Sequence, residues 1–109
     1  MVELVSAAML VLAAKCSGKP ERRNEMLRLV AAVTTPSKAE AGCIAYDVHE
    51  RLSGENEFLF FEEWADQSAL DFHFQTSHFQ EFIKEFTECL QGPPSIRVYE
   101  VAHSRDLEL

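Results

Sequence analysis

Residues 58 to 86 read FLFFEEWADQSALDFHFQTSHFQEFIKEF and contain all eight phenylalanines of the chain, its only tryptophan and two of its four histidines. The pattern predicts a strand from Phe58 to Trp64, a short helix that carries His73, and a second helix that begins at Ser77. A titratable imidazole among so many aromatic rings suits a site for a flat apolar ligand. This stretch therefore decides both the predicted fold and the candidate site.

The strand has two apolar faces at its start. Phe58, Phe60, Glu62 and Trp64 share one face, and the opposite face holds Leu59, Phe61 and Glu63. A sheet covered by helices on one side should be polar on the other, so something else must cover the second side. We expect a homodimer in which two such sheets face each other.

The two helices have recognisable start signals and a clear apolar stripe. Asp66 is a good N-cap for the first helix, and Ser77 with Gln80 has the form of a capping box for the second. In the second helix the apolar residues recur at helical spacing, which predicts a buried stripe of Phe79, Phe82, Ile83, Phe86 and Leu90.

The other elements follow from apolar runs and turn residues. The run Leu4 to Ala14 predicts a strand buried on both faces, and Cys16 to Pro20 predicts a turn. A helix then begins at Pro20, and Pro36 ends or kinks it. Its apolar stripe is predicted to consist of Met26, Val30 and Val33, broadened by Leu27 and Leu29. Further strands are predicted over Cys43 to His49, Glu57 to Trp64 and Ser95 to Val101, with the first two of these forming a hairpin.

This order, β-α-β-β-α-α-β, is typical of an α+β ferredoxin-like sandwich with an antiparallel sheet. A length of 109 residues fits a single domain over 1–109, with a core at about 5–102. The formal net charge of -8 would repel nucleic acid and anionic membrane surfaces, so neither is an expected partner. Three widely spaced cysteines without a CxxC pair suit a reduced compartment, and we expect a cytoplasmic protein.

Two motifs resemble a known family. Glu62-x-Trp64, followed by a helix reaching His73 and then Ser77-His78-Phe79, is similar to the antibiotic biosynthesis monooxygenase (ABM) domain of the dimeric α/β-barrel superfamily. Glu40-x-Gly42-Cys43, leading into a strand with Tyr46, resembles the second motif of the same family. The resemblance extends over about residues 5 to 102.

The resemblance implies a pocket between sheet and helices in which small or polycyclic quinol- or phenol-type aromatics are oxygenated by O2 without metal or flavin. Such chemistry needs a base, apolar walls and a donor for the developing oxyanion. His73 matches the histidine of the family, and its near-neutral pKa suits a catalytic base. Phe60 and Trp64 would form the wall and Tyr46 the donor, while Glu62 would orient the imidazole. The alternative role is core packing for Phe60 and Trp64, a backbone hydrogen bond for Tyr46, and a backbone hydrogen bond or a helix cap for His73. For Glu62 the alternative is to hold the dimer through a basic partner.

Other chemistries have weaker support in the sequence. His73 and His78 are five residues apart and a helix break is expected between them, which argues against a metal site. The haem-degrading branch of the superfamily has tryptophan at the position of His73 and histidine at that of Ile83, so we expect no haem. Polyketide oxygenases of the family often carry a polar group on the first strand, where this chain offers only Ser6.

Two alternative functions remain open. An isomerase of a small phosphorylated signalling sugar would need a cationic pocket, for which Arg97 is the available strand residue. A non-catalytic, stress-responsive barrel would use the same aromatic cavity to bind a small molecule without converting it.

Overall fold

The computed structural model describes residues 8–109. Two 3-10 turns, Pro20–Arg22 and Thr87–Cys89, accompany the regular elements. The strands and helices are β1 (Met9–Ser17), α1 (Arg23–Lys38), β2 (Cys43–Glu50), β3 (Glu57–Trp64), α2 (Gln67–Gln75), α3 (Ser77–Phe86) and β4 (Ser95–Val101).

The four strands form one sheet in the order β2-β3-β1-β4, and every neighbouring pair is antiparallel. The predicted α+β class and the order of elements are confirmed. The bounds of β3 and β4 agree with those predicted from the sequence, and the hairpin of β2 and β3 is present.

The helices pack against one face of the sheet. Along β3 the side chains alternate, with Phe58, Phe60, Glu62 and Trp64 buried and the intervening residues partly exposed. The ring of Phe60 lies 5.9 Å from Phe82 and 5.6 Å from Phe86, both on α3. The predicted division of this strand into two faces is therefore correct, and the core lies between β3 and α3.

The first strand differs from its prediction. It alternates between buried and partly exposed side chains instead of being buried on both faces, because the helices cover only one side. Cys16 and Ser17 belong to the strand and not to a turn, since they pair with Phe58 and Glu57. Residues 4 to 7 of the predicted strand, including Ser6, lie outside the described residues.

Helix α1 also corrects two expectations. It continues past Pro36 to Lys38, because a proline in the last turn removes only one of the final hydrogen bonds. Its buried stripe is Met26, Leu29, Val33 and Ser37, whereas Val30 is half-buried and Leu27 is exposed.

The caps of the two later helices are partly as predicted. Asp66 caps α2, with Oδ1 accepting a hydrogen bond from the amide of Ala69 at 2.8 Å. The capping box at Ser77 is wrong, because the preceding Thr76 has the extended backbone of an N-cap and its hydroxyl accepts from the Phe79 amide. Gln80 donates to the carbonyl of Phe74 instead. The predicted stripe is present, with Phe82, Phe86 and Leu90 buried and Phe79 and Ile83 half-buried, although α3 ends at Phe86 and Leu90 follows the 3-10 turn.

Within residues 8–109, no helix has the length and apolar character that crossing a membrane requires.

Candidate functional site

A buried carboxylate joins two imidazole rings at one end of the helical layer. Oε2 of Glu40 lies 2.7 Å from Nδ1 of His73 and 2.6 Å from Nε2 of His78. Because a carboxylate only accepts hydrogen bonds, each of these nitrogens donates its N–H to Glu40. The three residues come from the turn after α1, the end of α2 and the start of α3.

The turn that carries Glu40 is held in place by its backbone. The amide of Glu40 donates to the carbonyl of Ser37, and the carbonyl of Glu40 accepts from the amide of Cys43. At Gly42 there is no room for a side chain, since a Cβ there would lie 2.3 Å from the Cβ of Ala69 on α2. This close approach brings the turn and α2 together, and it allows Glu40 to reach His73.

The chain turns between the two histidines. Thr76 separates α2 from α3, and its amide donates to the carbonyl of His73. The expected helix break is therefore present. The spacing of five residues does not keep the two rings apart, because they lie on separate helices that meet at Thr76, and their centroids are 6.0 Å apart.

Burial favours the uncharged form of His73. The side chain of Glu40 is 6% exposed and that of His73 is 1% exposed. Removal from water lowers the pKa of His73 below its ordinary value, although the hydrogen bond to Glu40 acts in the opposite direction. The imidazole of His73 is therefore neutral near neutral pH, and its Nε2 keeps a lone pair while Nδ1 donates to the carboxylate.

A cavity of about 100 Å³ lies between the sheet and helices α2 and α3. Tyr46, Phe60, Glu62 and His73, all predicted site residues, line it. The rest of its wall is mainly apolar and comprises Leu12, Ala14, Cys16, Phe74, Phe79, Phe82, Ile83, Phe86, Thr87, Leu90, Pro94 and Ile96. Thr87 and Ile96 are exposed, so the cavity opens to solvent on their side.

Trp64, the fifth predicted site residue, lies behind the cavity wall. It is fully buried and its ring centroid is 4.5 Å from that of His73. Its Nε1 donates to Oε1 of Glu62 at 3.0 Å. Trp64 therefore supports both His73 and Glu62 instead of presenting a surface to the cavity.

Two further polar groups in the cavity wall have shifted pKa values. Burial raises the pKa of the Glu62 carboxyl to about 7, although the hydrogen bond from Trp64 opposes the shift. Burial, reinforced by the negative charge of Glu62, raises the pKa of Tyr46 above its ordinary value. Tyr46 is therefore a hydrogen-bond donor near neutral pH, and Glu62 can donate or accept a proton there.

Glu40 is the functional candidate that sequence reasoning did not identify. It stands in the Glu40-x-Gly42-Cys43 motif, which is compared above with the second motif of the family without a role being assigned to Glu40. A carboxylate 33 residues before His73 has no local spacing that connects the two. The motif could have drawn attention to Glu40, but its partner becomes visible only in the folded chain.

A larger open groove, of about 630 Å³, lies elsewhere on the surface. Lys15, Leu59 and Arg51 line it, and none of the predicted site residues does. Lys15 and Leu59 are paired residues on the sheet face away from the helices. Cys16 lines both the groove and the cavity, whereas His73 lines the cavity and not the groove.

These features define a class of protein. It is a one-sided α+β sandwich with an aromatic cavity and a buried histidine between the sheet and the helices. The chain belongs to the antibiotic biosynthesis monooxygenase family, whose model matches residues 9–85. A relative from Bacillus subtilis, named "Putative monooxygenase YcnE", is 40% identical over 85 residues, which cover 78% of this chain and 90% of the relative.

Other relatives agree in sequence and structure. The Mycobacterium tuberculosis protein named "Putative monooxygenase Rv0793" is 32% identical over 80 residues, which cover 73% of this chain and 78% of the relative. Its solved structure matches this chain with a TM-score of 0.85 and 27% sequence identity. The match covers 91% of this chain and 100% of the relative. A conserved protein from Methanosarcina mazei gives a TM-score of 0.83 at 32% identity, covering 87% and 94%.

Proposed function

We propose that this protein is a cofactor-independent monooxygenase that oxidises a small, single-ring quinol or phenol with O2. The observation that carries the proposal is a buried histidine, held by a buried carboxylate, in the wall of a mainly apolar cavity. The names of the relatives support the reaction class.

In this proposal the Nε2 lone pair of His73 removes the proton of a substrate hydroxyl. Nδ1 already donates to Glu40, so the ring is held in the tautomer that leaves Nε2 free. As the imidazole becomes positive, the carboxylate stabilises it. Glu40 is thus a positioning residue and His73 the catalytic base.

The electron-rich phenolate then reduces O2. For a quinol the balance is complete without a further reductant: the ring supplies four electrons and receives one oxygen atom, and the second oxygen atom leaves as water with a hydroxyquinone as product. Tyr46 remains protonated and can donate a hydrogen bond to the developing oxyanion. Glu62 can hold a second substrate hydroxyl, and Phe60 offers a ring surface for stacking.

Cavity size favours a single ring over a polycyclic substrate. A cavity of about 150 Å³ is enough to bind benzene, and the cavity here measures about 100 Å³. A one-ring substrate therefore needs only a small outward movement of the exposed side of the wall, whereas a fused ring system would have to displace core side chains of α3.

We also propose that the protein is a homodimer. The sheet face away from the helices carries apolar side chains on three strands, among them Val11, Phe61 and Tyr99, with Val11 paired to Tyr99 on the neighbouring strand. Exposed apolar faces of this kind are normally covered, and an identical face would cover them symmetrically.

The test is oxygen uptake by EDTA-treated protein with a series of benzenediols and naphthalenediols. We expect uptake with one-ring quinols, about 10²- to 10⁴-fold slower in His73→Ala, and unchanged in the control His49→Ala, whose side chain is exposed on β2. Glu40→Gln should lower kcat with little change in KM, because the cavity contacts remain.

Other outcomes would support the alternatives. Tight quinol binding without oxygen uptake would contradict the oxygenase and favour a carrier. Among residues 8–109, no lysine or arginine lines the cavity, and Arg97 is on the strand face opposite to Ile96. A phosphorylated substrate would therefore lack a cationic partner there, and sugar-phosphate turnover would refute the proposal.

A further inference from the structure

Glu40, His73 and His78 are a set of ligand atoms of the kind that divalent metals use. One carboxylate oxygen and two imidazole nitrogens lie within 4.8 Å of one another. Two histidines and one carboxylate bind borderline first-row cations such as Zn²⁺ and Fe²⁺. We propose that these three residues form a divalent-cation site behind the cavity, which Zn²⁺ can occupy.

The carboxylate has an unused oxygen at this position. Oε1 of Glu40 is buried and has no hydrogen-bond partner among the described residues. A buried oxygen of this kind is costly unless it is satisfied. A cation held by both oxygens of Glu40 would satisfy Oε1 and balance the charge of a carboxylate whose hydrogen-bond partners, among the described residues, are His73 and His78.

The distances fit after a small movement. The present separations of 2.7 Å and 2.6 Å are those of hydrogen bonds. Ligands at about 2.0 to 2.1 Å from a tetrahedral Zn²⁺ would be roughly 3.3 Å apart. Each imidazole would therefore move away from Oε2 of Glu40 by roughly 0.6 to 0.7 Å, and the two ring nitrogens, which lie within 4.8 Å of each other, would also be roughly 3.3 Å apart. His78 can adjust, since its side chain is 22% exposed at the start of α3, and this exposure also gives an ion a route from solvent.

The position of the site determines what a metal could do there. His73 lines the cavity, whereas Glu40 and His78 do not. A cation bound to Nδ1 of His73 would thus lie behind the ring and would not reach a substrate. It would not act as the oxygen-activating centre of the proposed reaction.

Binding would instead change the tautomer of His73. The metal needs the lone pair of Nδ1, so the proton of Nδ1 is lost to solvent and Nε2 gains one from solvent, with no net change in the charge of the ring. His78 likewise loses the proton of Nε2 to solvent and gains one at Nδ1. Nε2 then becomes a hydrogen-bond donor and has no lone pair for a substrate proton. If the proposed function holds, on which this consequence rests, the cation would inhibit the enzyme reversibly.

The site is tested by calorimetric titration of the EDTA-treated, dialysed full-length protein with Zn²⁺ alone. We expect one ion per chain, with affinity at least about 100-fold lower in His78→Ala, since even a supporting residue of a metal site contributes 10- to 100-fold. The matched control is the double variant His49→Ala, His103→Ala, which keeps only the two proposed histidine ligands and should bind as the unaltered protein does. Absence of Zn²⁺ binding, or binding unaffected by His78→Ala, would overturn the site.

Co²⁺ distinguishes these ligands from the three cysteines. We expect ligand-field absorption without a sulfur-to-cobalt charge-transfer band, and a strong charge-transfer band would overturn the assignment. Inhibition is measured separately as oxygen uptake with and without Zn²⁺. Zn²⁺ binding without loss of His73-dependent oxygen uptake would refute the tautomer switch. Absence of oxygen uptake in the metal-free protein would refute only the proposed function, since the Zn²⁺ titration does not depend on activity.

Discussion

Replacing Glu62 with glutamine should make the stability of the protein less sensitive to pH. Glu62 is 5% exposed, and burial raises the pKa of its carboxyl from the ordinary 4.5 to about 7. Between these two values the folded chain binds more protons than the unfolded chain. The free energy of unfolding therefore falls as the pH rises through this range.

The size of the effect follows from the shift. One pKa unit corresponds to about 1.36 kcal/mol, so a shift from 4.5 to about 7 amounts to about 3 kcal/mol. Glutamine keeps an oxygen that can accept the hydrogen bond from Nε1 of Trp64, and it carries no charge to desolvate. Below pH 4.5 we expect similar free energies of unfolding for Glu62→Gln and the unaltered protein. By pH 8 the free energy of unfolding of the variant should exceed that of the unaltered protein by about 2 to 3 kcal/mol.

The assay is urea unfolding at one protein concentration, at half-unit steps from pH 4.5 to 8. A fixed concentration is needed because the unfolding of the proposed dimer would depend on it. The control is Glu81→Gln, which removes one carboxylate from an exposed position on α3. Parallel pH profiles for Glu62→Gln and the unaltered protein would refute the assignment of a buried, proton-binding carboxyl at this position.

Three further substitutions test particular contacts. Gly42→Ala should destabilise the protein by about 1 to 3 kcal/mol through overpacking against Ala69. It should also slow turnover, because Glu40 would move away from His73. Normal stability and turnover in this variant would contradict the close approach of the turn to α2. Asp66→Ala should cost about 1 kcal/mol in urea unfolding because α2 loses its N-cap, whereas an exposed change such as Asp71→Ala serves as its control. Phe61→Glu should convert the proposed dimer to monomer in light scattering, and a dimer that persists at low concentration would show that this face is not the interface.

Much of the fold followed from local patterns. Alternation along β3 separated Phe60 from Phe61, and the spacing of Phe82 and Phe86 predicted the buried face of α3; both depend on periods of the backbone itself. The errors occurred where neighbouring segments compete. Thr76 took the capping role expected of Ser77, because the chain turns sharply at the end of α2, and the sequence offers two hydroxyl residues in succession.

The amino-acid sequence by itself determined the α+β class, the order of the elements, the family, and four of the residues that line the cavity. Only the tertiary structure decided that Trp64 lies behind the cavity wall and that His73 and His78 both donate hydrogen bonds to the carboxylate of Glu40. The physical reason is the distance along the chain over which each kind of interaction acts. Periodicity and capping act over a few residues, whereas the contact of Glu40 with His73 depends on the packing of a turn against a helix through the missing side chain of Gly42.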